Sequence, residues 1–191
     1  MFDSLSDYYL KSNSVTLAVL ALLALYFIVI NWTFFYRYLS LNRWVDKETD
    51  SLESLLMGAQ GIAANSYLNH FIKSSKRLSA ELFDLGLFAG TKEATKGLAI
   101  LSVVASTAPF IGLFGTVVSI LDTFNNIGSA SGTMAVIAAG VSDALVATAA
   151  GIFVAIFAYT YHQILKRRAY ELTGLLQMQR DALMAKETDA A

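Results

Sequence analysis

GLAILSVVASTAPFIGLFGTVVSIL, residues Gly97–Leu121, carries no charged side chain between Lys96 and Asp122. A helix rises 1.5 Å per residue, so about 20 apolar residues cross a hydrocarbon core about 30 Å thick. This stretch is long enough to do so. Working outward, Lys11 and Arg37 enclose another charge-free run, almost continuously apolar from Val15 to Ile30. Downstream, Met134–Leu165 holds a single acid, Asp143. Composition agrees with this pattern: of 191 residues, 55% are hydrophobic and only 15% charged, against about 25% charged in a soluble domain. Mean hydropathy is +0.53. The absence of cysteine excludes disulfides, zinc–thiolate sites and thiol catalysis.

The expected fold is therefore all-α, a polytopic membrane protein with three transmembrane helices and helical cytoplasmic extensions. The first run is read as a retained helix and not a signal peptide. Its leading end is acidic, no small-residue cleavage site follows, and it ends in Trp32, Phe34, Phe35, Tyr36 and Arg37, an interfacial anchor. Of the fourteen lysines and arginines, one precedes helix one, eight lie between helices one and two, none between two and three, and five follow helix three. The positive-inside rule then puts the N-terminus outside and the C-terminus in the cytoplasm.

The expected layout is a periplasmic N-terminus at 1–14, helix one at 15–36, a cytoplasmic helical region at 37–96 and helix two at 97–121. A periplasmic loop at 122–133, helix three at 134–165 and a cytoplasmic amphipathic helix at 166–191 follow. Within 37–96, Leu52, Leu55, Leu56, Ala59 and Ile62 recur at helical spacing, and Phe71, Leu78, Leu82, Leu85 and Phe88 mark a second stretch. Asn125–Thr133 is turn chemistry. Leu172, Leu175, Leu176 and Leu183 carry the apolar face of the C-terminal helix.

Asp143 is the sole acid in any span, about nine residues and roughly 14 Å into the third. An Asp there costs about 2.5–3.5 kcal/mol on insertion scales, and such residues face a protein interior or a water-filled cavity. It either marks an ion path or, protonated, bonds a neighbouring helix. Stepping by four gives Ala135, Ala139, Asp143, Ala147, Gly151 and Ala155, with Val136, Gly140, Ala144 and Thr148 beside them, a stripe that permits close helix approach. Such a stripe serves packing within one subunit or a lining for another protein's helix. On helix two, Ser102, Ser106, Pro109, Gly112, Thr116 and Ser119 share a face. Their hydroxyls either relay protons or bond back to the preceding turn. Pro109 frees a backbone carbonyl and is expected to kink the helix.

The run Ala108–Val117, APFIGLFGTV, resembles the second-helix signature of the TolQ and ExbB proteins, and Gly140–Gly151, GVSDALVATAAG, resembles their third-helix signature. The resemblance is specific over about residues 105–165. It implies a pentamer whose second and third helices line a central pore. It further implies a single-span TolR- or ExbD-like partner in that pore and energy passed to a TolA- or TonB-like protein, all in a bacterial inner membrane. It assigns Thr116, Asp143 and Thr148 to the proton pathway, with Pro109, Gly112, Gly115, Gly140, Ala147 and Gly151 on the packing and pore face. Two departures stand out: the family usually has Glu at 143, and commonly proline at 139 and 157, where this chain has Ala139 and Phe157. The brevity of the chain before helix one leans towards TolQ.

No enzyme, metal, cofactor or nucleic-acid partner is expected. His70 and His162 stand far apart without nearby acids, and Gly112 and Gly115 lack a following Gly-Lys-Ser/Thr. Lys166, Arg167 and Arg168 read as a cytoplasmic stop touching lipid headgroups. The alternatives are a MotA-type flagellar stator, which has four crossings, a non-conducting scaffold, and a small transporter, for which no inverted repeat is found.

Overall fold

The computed structural model describes residues 14–59, 61–73, 80–129 and 134–190, and every element within them is an α-helix. Helix α1 spans Ser14–Leu56, α2 Tyr67–Lys73, α3 Ala80–Ala94, α4 Leu98–Ser129 and α5 Met134–Ala190. Three helices are long and apolar enough to cross a membrane, as the hydropathy requires.

Several helix ends differ from the expected ones. Helix α1 stops at Leu56, so Ala59 and Ile62 do not continue its face. The stop is a Schellman motif: Gly58 takes φ +105, its N–H reaches Leu55 O at 3.3 Å, and Ala59 N–H reaches Ser54 O at 3.1 Å. Gly97, at φ +88, separates α3 from α4 in the same left-handed way. Helix α4 passes unbroken through Pro109 and runs on to Ser129. Asn125–Ser129, read from sequence as turn chemistry, is therefore helical. Residues 130–133 of that expected loop lie outside the described residues. Helix α5 is one continuous helix through Ala139 and Phe157, the positions where the related signatures carry proline.

The chain divides into two compact units. The first combines α1 up to Trp32 with Ala99–His162 of α4 and α5. Its core is Val19, Leu23 and Ile30 from α1, Leu101, Val104 and Ala108 from α4, and Ala144, Ala147, Val154 and Ala158 from α5. Phe27 packs between Phe153 and Phe157 at centroid distances of 5.7 and 5.6 Å, and the Tyr161 hydroxyl donates to Asn31 Oδ1 at 3.0 Å. Leu25, Ile28, Phe110, Phe114, Leu145 and Ile156 remain exposed. An apolar outer surface of this extent is matched to hydrocarbon, not to water.

The second unit combines Thr33–Leu98 with the chain from Gln163 onward. Leu41, Val45, Leu52, Leu55, Leu68, Phe83, Leu165, Leu172 and Leu176 form its core. On α3 the buried face is Phe83, Gly86, Gly90 and Ala94, while Leu85 and Phe88, whose spacing marked a helical stretch, are 57% and 69% exposed. Small residues win because α3 lies close to its neighbours: a Cβ on Gly90 would sit 2.8 Å from Leu176 Cδ1. Leu78 lies outside the described residues. Arg37, expected at the interface, is buried and caps the C-terminus of α3, donating to the carbonyls of Glu93 and Ala94 and pairing with the Glu93 carboxylate at 3.5 Å.

A polar clasp completes this unit. Glu48 is fully buried, and its carboxylate accepts from Trp44 Nε1 (3.1 Å), the Tyr67 backbone N–H (2.8 Å), the Ser66 hydroxyl (2.8 Å) and Gln179 Nε2 (3.0 Å). Gln179 also donates to Glu48 O at 2.9 Å. The donors come from α1, the start of α2 and α5, so one side chain ties three segments together. Burial, and after it the Glu93 charge, raise the Tyr67 phenol above its ordinary value of 10.0, so it stays a neutral hydroxyl at physiological pH.

Candidate functional site

Helices α4 and α5 meet along a seam without side chains to hold them apart. A Cβ built on Gly112 would stand 2.7 Å from Ala147 O and 3.1 Å from Gly151 Cα; one on Gly151 would stand 2.6 Å from Ala108 O. Those obstacles are backbone atoms, which cannot rotate away. Gly115 packs on Ala147 Cβ and Val19 Cγ1, each 3.0 Å from its would-be Cβ. Further along, Gly140 gives room to Thr123, whose Oγ1 would lie 2.0 Å from a Cβ there. The packing residues chosen from sequence thus come together, and Gly112, Gly115, Ala147 and Gly151 are buried. Pro109 is half-buried beside the seam.

Into this seam the fold sets two hydroxyls. Thr116 and Thr148, on facing helices, hydrogen-bond to each other through their Oγ1 atoms. Thr116 also reaches Ala144 O at 3.1 Å and Gly112 O at 3.2 Å, and Thr148 reaches Gly112 O at 3.4 Å. Each hydroxyl carries one proton, so two arrangements satisfy the pair. Thr148 donates to Thr116 while Thr116 turns to a carbonyl, or Thr116 donates to Thr148 while Thr148 turns to Gly112 O. The hydroxyls therefore both fasten the helices and offer a switchable hydrogen-bond direction.

Asp143 is not part of that pair. Five residues separate it from Thr148, about 7.5 Å along the axis and about 140° around it. It is half-buried, its neighbours Ala139 and Ser142 are exposed, and Ala144 beside it is fully buried. Among the described residues no hydrogen bond or ion pair engages its carboxylate. Of the remaining serines, Ser102 and Ser106 are exposed, and Ser106 bonds back to Val103 O at 3.0 Å. Thr123 was missed from sequence. It is buried, donates to Ser119 O at 2.8 Å and faces Gly140. Its place seven residues after Thr116 was the available signal, hidden by ending the span at Leu121. Among the described residues no three His, Cys, Asp or Glu side chains converge as metal ligands.

The chain is similar to several known proteins. Residues 59–178 match the MotA/TolQ/ExbB proton channel family. A biopolymer transport protein ExbB-like 1 of Helicobacter pylori (strain J99) is 43% identical over 189 residues, covering 98% of this chain and 100% of that one. The biopolymer transport protein ExbB of Neisseria gonorrhoeae is 40% identical over 116 residues, 60% of this chain and 48% of its own. The Tol-Pal system protein TolQ of Pseudomonas aeruginosa is 40% identical over 78 residues, 40% of this chain and 34% of its own.

Proposed function

The chain belongs to the MotA/TolQ/ExbB proton channel family, as a multi-pass inner-membrane protein near TolQ and ExbB, and we propose that it is the pore-forming subunit of a proton-driven motor. The observation that carries this reading is Asp143, a lone acid in the spans, which no group in its own protomer engages among the described residues. A carboxylate kept in an apolar span without an intrachain bond is expected to face water or another chain, where it can exchange protons. The Thr116–Thr148 pair adds a hydroxyl bridge of reversible direction nearby.

In this reading the subunits form a homo-oligomer, a pentamer by family resemblance, around a single-span TolR- or ExbD-like partner, with a TolA- or TonB-like protein receiving the energy. The N-terminus faces the periplasm and the C-terminus the cytoplasm. The full-length relatives carry the ExbB-like name, so a short segment before helix one does not single out the Tol system, and we favour neither. The bonds of the threonine hydroxyls to backbone carbonyls favour a second reading for those two residues alone, as fasteners of the seam.

The test is complementation of envelope integrity or energised uptake in cells lacking the native gene. Asp143→Asn keeps size and hydrogen bonding but cannot titrate. It is expected to assemble with its partner and fail to restore function. Full restoration by that variant contradicts a proton-carrying Asp143 and favours the scaffold.

A further inference from the structure

On the second unit, Tyr36, Ser40, Arg43, Trp44, Lys47 and Tyr67 line an open cavity of about 480 Å³. We propose that it is a binding site for the phosphodiester headgroup of an anionic phospholipid. This assignment is independent of the proton pathway.

The charges make the first part of the case. Several cations of this unit are already engaged: Arg37 and Lys96 pair with Glu93, Arg168 with Glu171 and Arg180 with Asp84, while Lys186 donates to the Leu55 and Ala59 carbonyls. Arg43 and Lys47, one turn apart on α1, have no carboxylate partner among the described residues; Arg43 spends only its Nε–H, on Leu39 O at 3.3 Å. The forked terminal nitrogens of Arg43 suit two oxygens of one phosphate, and Lys47 adds a point charge.

The walls make the second part. Trp44 and Tyr67 pack at a centroid distance of 5.0 Å, and both are fixed from behind by the buried Glu48, through the indole N–H and the Tyr67 backbone N–H. The aromatic side of the cavity is thus preformed, and it offers an apolar surface beside two cations, which suits a glycerol and acyl-chain root more than a bare ion. Location makes the third. Arg43 lies about 10 Å along α1 from Tyr36, where the exposed aromatic belt of Trp32, Phe35 and Tyr36 ends. Long side chains on a helix point back towards its N-terminus, which in α1 is the membrane-crossing part. Their cationic heads are therefore directed towards the headgroup layer.

A free phosphate shares the headgroup's charge, so the experiment separates the two. The full-length protein, delipidated in detergent, is titrated with equimolar phosphatidylglycerol and phosphatidylcholine and read by native mass spectrometry. Phosphatidylglycerol is expected to be retained over phosphatidylcholine, and a large excess of inorganic phosphate is expected not to displace it. The double variant Arg43→Gln/Lys47→Gln, at two solvent-facing positions, is expected to bind it about thirty-fold more weakly, whereas Lys92→Gln/Lys96→Gln, which removes the same charge at two other exposed positions, keeps the wild-type affinity. Equal retention of the two lipids, displacement by inorganic phosphate, or equal losses in the two double variants would each overturn the assignment.

Discussion

Helices are brought together by opposite chemistry in the two units. In the membrane-crossing unit α4 and α5 approach by losing side chains: Gly112 and Gly151 let backbones touch, and Thr116 and Thr148 join them through neutral hydroxyls. In the other unit the segments are tied by a fully buried carboxylate, Glu48, with Ser66 and Gln179, and by Arg37 on the end of α3. Hydrocarbon gives no hydrophobic drive between helices, so close packing and short hydrogen bonds must supply it. Where water competes for the chain, a buried charge is tolerable only when donors surround it, and Glu48 has four. The lesson is that the one acid in the spans is the exception on both counts. Asp143 is half-buried in its unit, and among the described residues no hydrogen bond or ion pair satisfies it.

That contrast breaks most readily at the glycines. Gly112→Ala or Gly151→Ala pushes a methyl into backbone and is expected to cost about 3 kcal/mol each, read as reduced resistance to thermal unfolding in detergent. Gly174→Ala, on the same helix α5 but with nothing within 4 Å of its Cβ position, is expected to gain up to about 1 kcal/mol from helix propensity. Equal behaviour of the three would mean that the seam is not close-packed.

The clasp comes next in size. Glu48→Ala strands the Trp44 and Tyr67 N–H groups, Ser66 and Gln179, and is expected to destabilise by about 2 kcal/mol, with Glu48→Gln losing less because its amide oxygen still accepts. Hydrogen exchange is the suitable probe: amides of Tyr67 and Leu68 should lose protection while those of α4 near Gly112 keep theirs. The smallest effect belongs to the hydroxyl pair. Thr148→Val is expected to lower stability by about 0.6 kcal/mol, and Thr148→Ser to restore it. A far larger loss would mark the threonines as fasteners first.

Much of this was legible in the sequence because a hydrocarbon solvent writes in long, charge-free runs. Gly97–Leu121 and Met134–Leu165 needed only length and charge to read, and the small-residue steps at Gly112, Ala147 and Gly151 follow the helical period. What escaped depended on tertiary contact. Leu85 and Phe88 look like a core face, yet α3 buries Gly90 because Leu176 needs the space. Glu48 looks like any surface acid among Asp46, Lys47 and Asp50; only the meeting of α1, α2 and α5 makes it a buried acceptor. Asn125–Ser129 has turn composition but remains helical as the continuation of α4. Ordinary propensity is a weak prior beside such context.

The central claim, that Asp143 titrates to move protons and does not merely hold helices, is tested most directly by proton flux. The chain would be co-reconstituted with the proposed single-span partner in vesicles holding a pH-sensitive dye, and a membrane potential imposed. The account predicts potential-driven internal pH change for the wild type and its loss, to the level of protein-free vesicles, for an Asp143→Asn complex of unchanged size. Undiminished flux in that intact variant complex would contradict it.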